Sequence, residues 1–85
     1  MRTVDRDAFL QMQERGGQWA AYENKALDSA NVGHVQYLKF GAGCTHEVPP
    51  EQYPADTSYG LGWRYRYIGV VNFEAGVIEE VPRVS

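Results

Sequence analysis

The chain has 85 residues, with eight basic and eleven acidic side chains and a net charge of −3. This length fits one small domain over residues 1–85, and the composition, 44% hydrophobic and 22% charged, excludes a disordered or fibrous protein. Because phosphate groups attract a basic surface, the acidic balance argues against duplex nucleic acid or a membrane as a partner.

The N-terminal residues predict a helix over residues 5–15. Asp5 is the expected N-cap, since its carboxylate can accept hydrogen bonds from the free backbone N–H groups of the first turn. Val4 and Phe9 have the spacing of a hydrophobic staple. Gly16 favours the end of the helix, because glycine readily takes the left-handed conformation that a helix terminus needs.

Residues 18–30 allow two interpretations, a second helix or a strand. Apolar residues recur there at helical spacing, namely Trp19, Tyr22, Ala26, Leu27 and Ala30. This stripe favours a helix. The alternative is a strand over 18–27, with residues 28–33 as the connection to the next strand. Asp28, Ser29 and Asn31 are residue types that form turns by bonding to their own backbone.

The next two segments predict a strand and then a long loop. Residues 34–40 are rich in strand formers and lie between Gly33 and Gly41. Residues 41–62 hold four glycines and three of the four prolines. A loop of this length is uncommon in a small domain and indicates function or disorder.

The clearest β pattern predicts a hairpin over residues 63–81. Its two strands are expected at 63–73 and 77–81, joined by three loop residues that end in Gly76. That spacing fits a type I turn followed by a bulge. It would place Phe73 opposite Val77 in the ladder.

Together these elements predict an α+β fold in a single domain. One or two N-terminal helices would pack on a three- to four-stranded antiparallel sheet that ends in the C-terminal hairpin. The alternative is a mostly β, barrel-like domain with one N-terminal helix.

Cys44 is the single cysteine, so no disulfide can form within the chain. Small secreted domains usually depend on several disulfides, and we therefore expect a cytoplasmic protein. The glycines do not form a phosphate-binding motif. We therefore assign no cofactor.

Cys44 and His46 are weak candidates for metal binding, because side chains two residues apart on an extended segment point to the same side. Zinc needs three or four protein ligands, and His34 and loop carboxylates are the only residues available to complete the set. Cys44 with His46 or His34 as base would be the catalytic alternative. No catalytic residue is assigned, since a lowered thiol pKa cannot be read from sequence.

The most informative cluster is aromatic and follows the long loop. The candidate binding residues are Tyr53, Tyr59, Trp63, Arg64, Tyr65 and Arg66. Tyr, Trp and Arg are enriched at interface hot spots. On a strand, Trp63, Tyr65 and Tyr67 would share one face, and Arg64, Arg66, Ile68 and Val70 the other. The competing hypothesis is that Trp63, Tyr65 and Tyr67 cover the core.

Three functions remain open at this point. The first is a non-enzymatic protein-binding module, such as an inhibitor, immunity or accessory factor, with an aromatic and arginine surface. The second is a small-ligand domain that binds a nucleotide-like molecule between Tyr59, Trp63, Arg64 and Arg66. The third is a small enzyme that depends on Cys44 or a histidine.

Overall fold

The computed structural model describes residues 2–48 and 65–81, and there it contains one helix and one sheet. The elements in chain order are β1 (Arg2–Thr3), α1 (Arg6–Arg15), β2 (Gln18–Asn24), β3 (Val35–Phe40), β4 (Tyr65–Asn72) and β5 (Val77–Glu80). The five strands are antiparallel and lie in the order β1-β5-β4-β2-β3. The α+β class is therefore confirmed. The described residues have one helix and five strands, so the prediction of three to four strands was too low, because the two-residue strand β1 was not foreseen.

Helix α1 begins and ends at the residues that the local sequence signals indicate. The Asp5 carboxylate accepts a hydrogen bond of 3.1 Å from the Ala8 backbone N–H. At the other end, Gly16 takes a φ of +72° and donates to the Met12 carbonyl at 2.9 Å. Both ends are thus satisfied by groups within three or four residues, which explains why they are legible in the sequence.

The helical interpretation of residues 18–30 is wrong. Strand β2 occupies Gln18–Asn24 and is hydrogen-bonded to β3 on one side and β4 on the other. Ala20 and Ala21 are fully buried on its two sides. A strand that is buried on both faces has a continuous apolar sequence and lacks the alternation typical of strands. The two alanines in this sequence also have high helix propensity, which favoured the helical prediction. Pairing with two neighbouring strands outweighs the local preference.

Both faces of the sheet carry a hydrophobic cluster. On the helix face, buried residues of three strands pack with Val4 and Met12; they are Trp19, Ala21, Ile68, Val71 and Ile78. On the opposite face the cluster consists of Ala20, Phe40 and Tyr67, with Val70 and Val81 packed against it. Successive side chains of β2 contribute to alternate clusters, as strand geometry requires.

Strand β4 contains an irregularity that changes which face its residues occupy. The ladder with β2 shifts between Ala21, which pairs with Gly69, and Tyr22, which pairs with Tyr67. Ile68 is therefore an extra residue in β4, as in a β-bulge. As a result Val70 lies on the opposite face with Tyr67, and the prediction that it shares a face with Ile68 is wrong.

The hairpin register also differs from the predicted one by a residue. Asn72, and not Phe73, lies opposite Val77. The Asn72 side-chain oxygen accepts from the backbone N–H groups of Glu74 (2.9 Å) and Ala75 (3.1 Å), and Gly76 donates to the Asn72 carbonyl at 2.9 Å. These bonds fix a loop over residues 73–76. Phe73, the first residue of this loop, therefore has no partner in the β4–β5 ladder.

Tyr37 is a half-buried tyrosine on the edge strand β3. Burial raises its pKa, and hydrogen bonding with the Asp5 backbone opposes the rise. The two outer strands are not paired with each other in the ladders of the described residues. Among the described strands, β3 therefore has β2 as its single neighbour.

Candidate functional site

Two of the six candidate binding residues lie in the described part of the chain. Tyr65 and Arg66 are the first two residues of β4. Tyr53, Tyr59, Trp63 and Arg64 lie outside the described residues. The geometry of the predicted aromatic and arginine surface is thus defined at its β4 end.

Arg66 is engaged by a carboxylate from the neighbouring strand. Its Nε donates to Glu23 Oε1 at 3.0 Å, and the two side chains are 26% and 30% exposed. The residues are directly opposite each other in the β2–β4 ladder, on the helix face. A partly exposed ion pair of this kind contributes a modest stabilisation, because solvent still screens the two charges. It orients the guanidinium and leaves other N–H groups of Arg66 able to bind.

Tyr65 lies on the opposite face of the sheet and contacts another tyrosine. Its ring meets that of Tyr22 edge-on, with centroids 5.2 Å apart and an interplanar angle of 89°. Tyr65 is half-buried, whereas Tyr67 on the same face is only 4% exposed. The hypothesis that these aromatic side chains cover the core therefore holds for Tyr67, whereas part of the Tyr65 side chain is accessible to solvent.

Asn24 is the buried polar residue at this end of the sheet. It pairs with Tyr65 across the ladder and is 4% exposed. Its amide nitrogen donates to Ser29 Oγ at 3.2 Å and to Gln36 Oε1 at 3.1 Å, and its side-chain oxygen accepts from the Ala26 N–H at 2.9 Å. All hydrogen-bonding positions of the amide nitrogen are used. Asn24 therefore joins the end of β2 to β3 and to the loop between them.

The β2–β3 loop, residues 25–34, is fixed by its own hydrogen bonds. Ser29 donates through its backbone N–H to the Ala26 carbonyl at 3.0 Å, and its hydroxyl accepts from Asn31 at 3.1 Å. The loop closes where Gly33 donates to the Asn24 carbonyl at 2.7 Å. The polar residues here serve turn geometry, as expected for Ser and Asn between strands.

The same loop exposes two large apolar side chains. Leu27 is 90% exposed and Val32 is 40% exposed. Ala26, immediately before Leu27, is fully buried. The helical stripe in the sequence placed Leu27 in a core, so sequence reasoning missed it as a surface residue. The signal available in the sequence was that Leu27 directly precedes the turn-forming residues Asp28 and Ser29.

Cys44 and His46 lie in a short loop that closes on itself. The backbone N–H of Gly41 donates to the His46 carbonyl at 2.8 Å, and the backbone N–H of Cys44 donates to the Gly41 carbonyl at 3.0 Å. The thiol is free and half-buried. Residues 2–48 and 65–81 contain no group of three or more His, Cys, Asp or Glu side chains placed to hold a metal ion. In this part of the chain, the pair has no further ligand.

No family model, curated protein or solved structure matches the chain. Within the described residues, no helix is long and apolar enough to cross a membrane. The function must therefore be inferred from the chain's own residues. Leu27 and Val32 in the β2–β3 loop and Tyr65 and Arg66 at the start of β4 all lie toward the same end of the sheet, with Tyr65 and Arg66 on its opposite faces.

Proposed function

We propose that this protein is a non-enzymatic protein-binding module that acts through the end of the sheet where β2 stops and β4 starts. The loop-end surface consists of Leu27, Val32, Tyr65 and Arg66. One observation carries the proposal: Leu27 is 90% exposed on a loop that hydrogen bonds hold in one conformation.

A fixed loop with an exposed leucine is well suited to bind an apolar pocket on a partner. Burying one such side chain contributes about 1.5–3 kcal/mol. Ordering a flexible loop on binding would cost part of that gain, whereas the bonds of Asn24 and Ser29 order it in advance. Leu27 is therefore the expected anchor of the interface.

Tyr65 and Arg66 supply the residue types that commonly surround such an anchor. Arg66 is oriented by Glu23 and Tyr65 by Tyr22. The proposal extends this surface to the sequence neighbours Tyr53, Tyr59, Trp63 and Arg64. An inhibitor, immunity or accessory factor of the cytoplasm fits the small, acidic chain with its single cysteine.

The test is affinity capture from cells that naturally make the chain, with a matched pair of variants. Leu27→Asp places a charge at the proposed anchor. Leu10→Asp makes the same change on α1, where the side chain is 48% exposed. Both variants should keep the wild-type circular dichroism and melting temperature. We expect one partner to be retained by wild type and Leu10→Asp and lost by Leu27→Asp; equal retention by both variants contradicts the proposal.

The small-ligand hypothesis predicts a different result for the same protein. A nucleotide that binds the native state raises the melting temperature by mass action. The shift would be lost in Arg66→Ala, since Arg66 is the described cation of that proposed site. A nucleotide-dependent shift with that loss would replace protein binding as the function.

A further inference from the structure

Strand β3 forms one edge of the sheet and has hydrogen-bonding groups without a partner among the described residues. It spans Val35–Phe40 and pairs with β2 along one side. In an antiparallel ladder, alternate residues bond to the neighbouring strand and the others point their N–H and C=O groups away. The unpaired side of β3 is therefore a row of regularly spaced donors and acceptors.

The hydrogen bonds of Asn24 identify which residues point outward. Asn24 N–H donates to the His34 carbonyl at 3.1 Å, one residue beyond the last ladder pair, Glu23 with Val35, so the backbone carbonyl of His34 points toward β2. The alternation then directs the backbone N–H and C=O groups of Gln36, Leu38 and Phe40 toward β2. The backbone groups of Val35, Tyr37 and Lys39 point away from the sheet.

We infer that this edge pairs with β3 of a second copy of the chain. The outward residues Val35, Tyr37 and Lys39 are symmetric about Tyr37. An antiparallel copy centred there places Tyr37 opposite its equivalent and Val35 opposite Lys39. That register satisfies every outward donor and acceptor of both strands, and an identical patch on two subunits is the usual geometry of a twofold dimer.

The charges along the strand permit this pairing although the whole chain is acidic. Residues 29–46 contain no Asp or Glu, so no carboxylates meet at the edge. Lys39 lies opposite Val35 in the proposed register, and its ammonium group donates to the Arg15 carbonyl of its own chain at 3.4 Å. Like charges are therefore not brought opposite each other. The other edge, β1, has only two residues and offers a much shorter ladder.

The first test compares two substitutions of Val35. Val35→Pro removes the outward N–H and adds a ring on the open side, while no bond to β2 depends on that N–H. Val35→Ala removes the same packing but keeps the N–H. By sedimentation velocity over a concentration series, we expect wild type and Val35→Ala to reach twice the 9.6 kDa mass of one chain. Val35→Pro should weaken dimerisation by about tenfold or more.

The second test checks the register by cross-linking in a Cys44→Ser background. Tyr37→Cys places two thiols opposite each other in the dimer, where Cα atoms of a bonded antiparallel pair lie about 5.5 Å apart and a disulfide can form. Leu27→Cys is the control, since that side chain is exposed elsewhere. With oxidised glutathione, Tyr37→Cys should give covalent dimer much faster than the control.

Three results would overturn the inference. They are a wild-type chain that stays monomeric at all concentrations, a Val35→Pro variant that dimerises as well as Val35→Ala, and equal cross-linking of the two cysteine variants. The dimer is independent of the proposed function, because Leu27→Asp should leave the sedimenting mass unchanged while abolishing partner capture.

Discussion

Replacing Asn24 by alanine should test how firmly the β2–β3 loop is fixed. The substitution removes three side-chain hydrogen bonds, to Ser29, Gln36 and Ala26, from a residue that is 4% exposed. It also leaves the N–H of Ala26, which is fully buried, without an acceptor. Both effects destabilise the native state and not the unfolded chain.

The size of the loss follows from these bonds. A typical hydrogen bond contributes a net free energy of about 1 kcal/mol, and a buried donor left unsatisfied costs about 1–3 kcal/mol. Two lost bonds at about 1 kcal/mol each and the unsatisfied Ala26 N–H at about 1–3 kcal/mol lower the expected free energy of unfolding of Asn24→Ala by about 3–5 kcal/mol. For a domain of this size that corresponds to a melting temperature lower by roughly 12–40 °C.

The assay is urea denaturation followed by tryptophan fluorescence, with Gln13→Ala as the control. Gln13 is an exposed amide on α1, and its truncation should change stability by less than about 0.5 kcal/mol. A loss of less than about 1 kcal/mol in Asn24→Ala would refute the reasoning. The loop would then not depend on the Asn24 amide.

Three further changes test other parts of the fold. Gly69→Ala should destabilise by about 3 kcal/mol or more, since a Cβ there would run into the Glu79 carbonyl of β5; a urea midpoint close to wild type would contradict this. Asp5→Ala should cost about 1 kcal/mol by removing the cap on the Ala8 N–H, with Asp5→Asn losing less, and equal unfolding curves for all three proteins would exclude a capping role. Because burial raises the pKa of Tyr37 above 10.0, its neutral form contributes stability that is present below pH 10 and lost as the pH rises through its folded pKa. Tyr37→Phe should therefore lose less stability than wild type between about pH 9 and pH 12 in urea melts, and identical losses would show that Tyr37 does not carry the effect.

Helix α1 could be predicted because its signals are local. The Asp5 cap, the Gly16 terminus and the apolar residues between them act within a few residues of one another. Strand β3 could be predicted for a similar reason, because strand-forming residues lie between Gly33 and Gly41. The α+β class followed from these elements together with the hairpin.

Strand β2 could not be assigned because its state depends on neighbours that are distant in sequence. Ala20 and Ala21 are good helix formers, and only the pairing with β3 and β4 makes them strand residues. The exposure of Leu27 follows from the same error. Because β2 ends at Asn24, Leu27 belongs to the loop that follows, where it is 90% exposed.

The hairpin register and the bulge depend on side-chain and backbone contacts that composition does not encode. Asn72 is an ordinary strand residue in the pattern, but its side chain bonds two backbone N–H groups and lengthens the loop. Ile68 continues the apolar alternation, yet the ladder shifts beside it. One inserted residue changes the face of every residue that follows.

Isothermal titration of the purified chain with the partner retained in the capture experiment tests the role of the loop-end surface most directly. If Leu27 anchors that interface, Leu27→Ala should raise the dissociation constant by about tenfold or more, because about 1.5–3 kcal/mol of burial is lost. Leu10→Ala, the control on α1, should bind as wild type does. An unchanged dissociation constant for Leu27→Ala would contradict a protein-binding role for this end of the sheet.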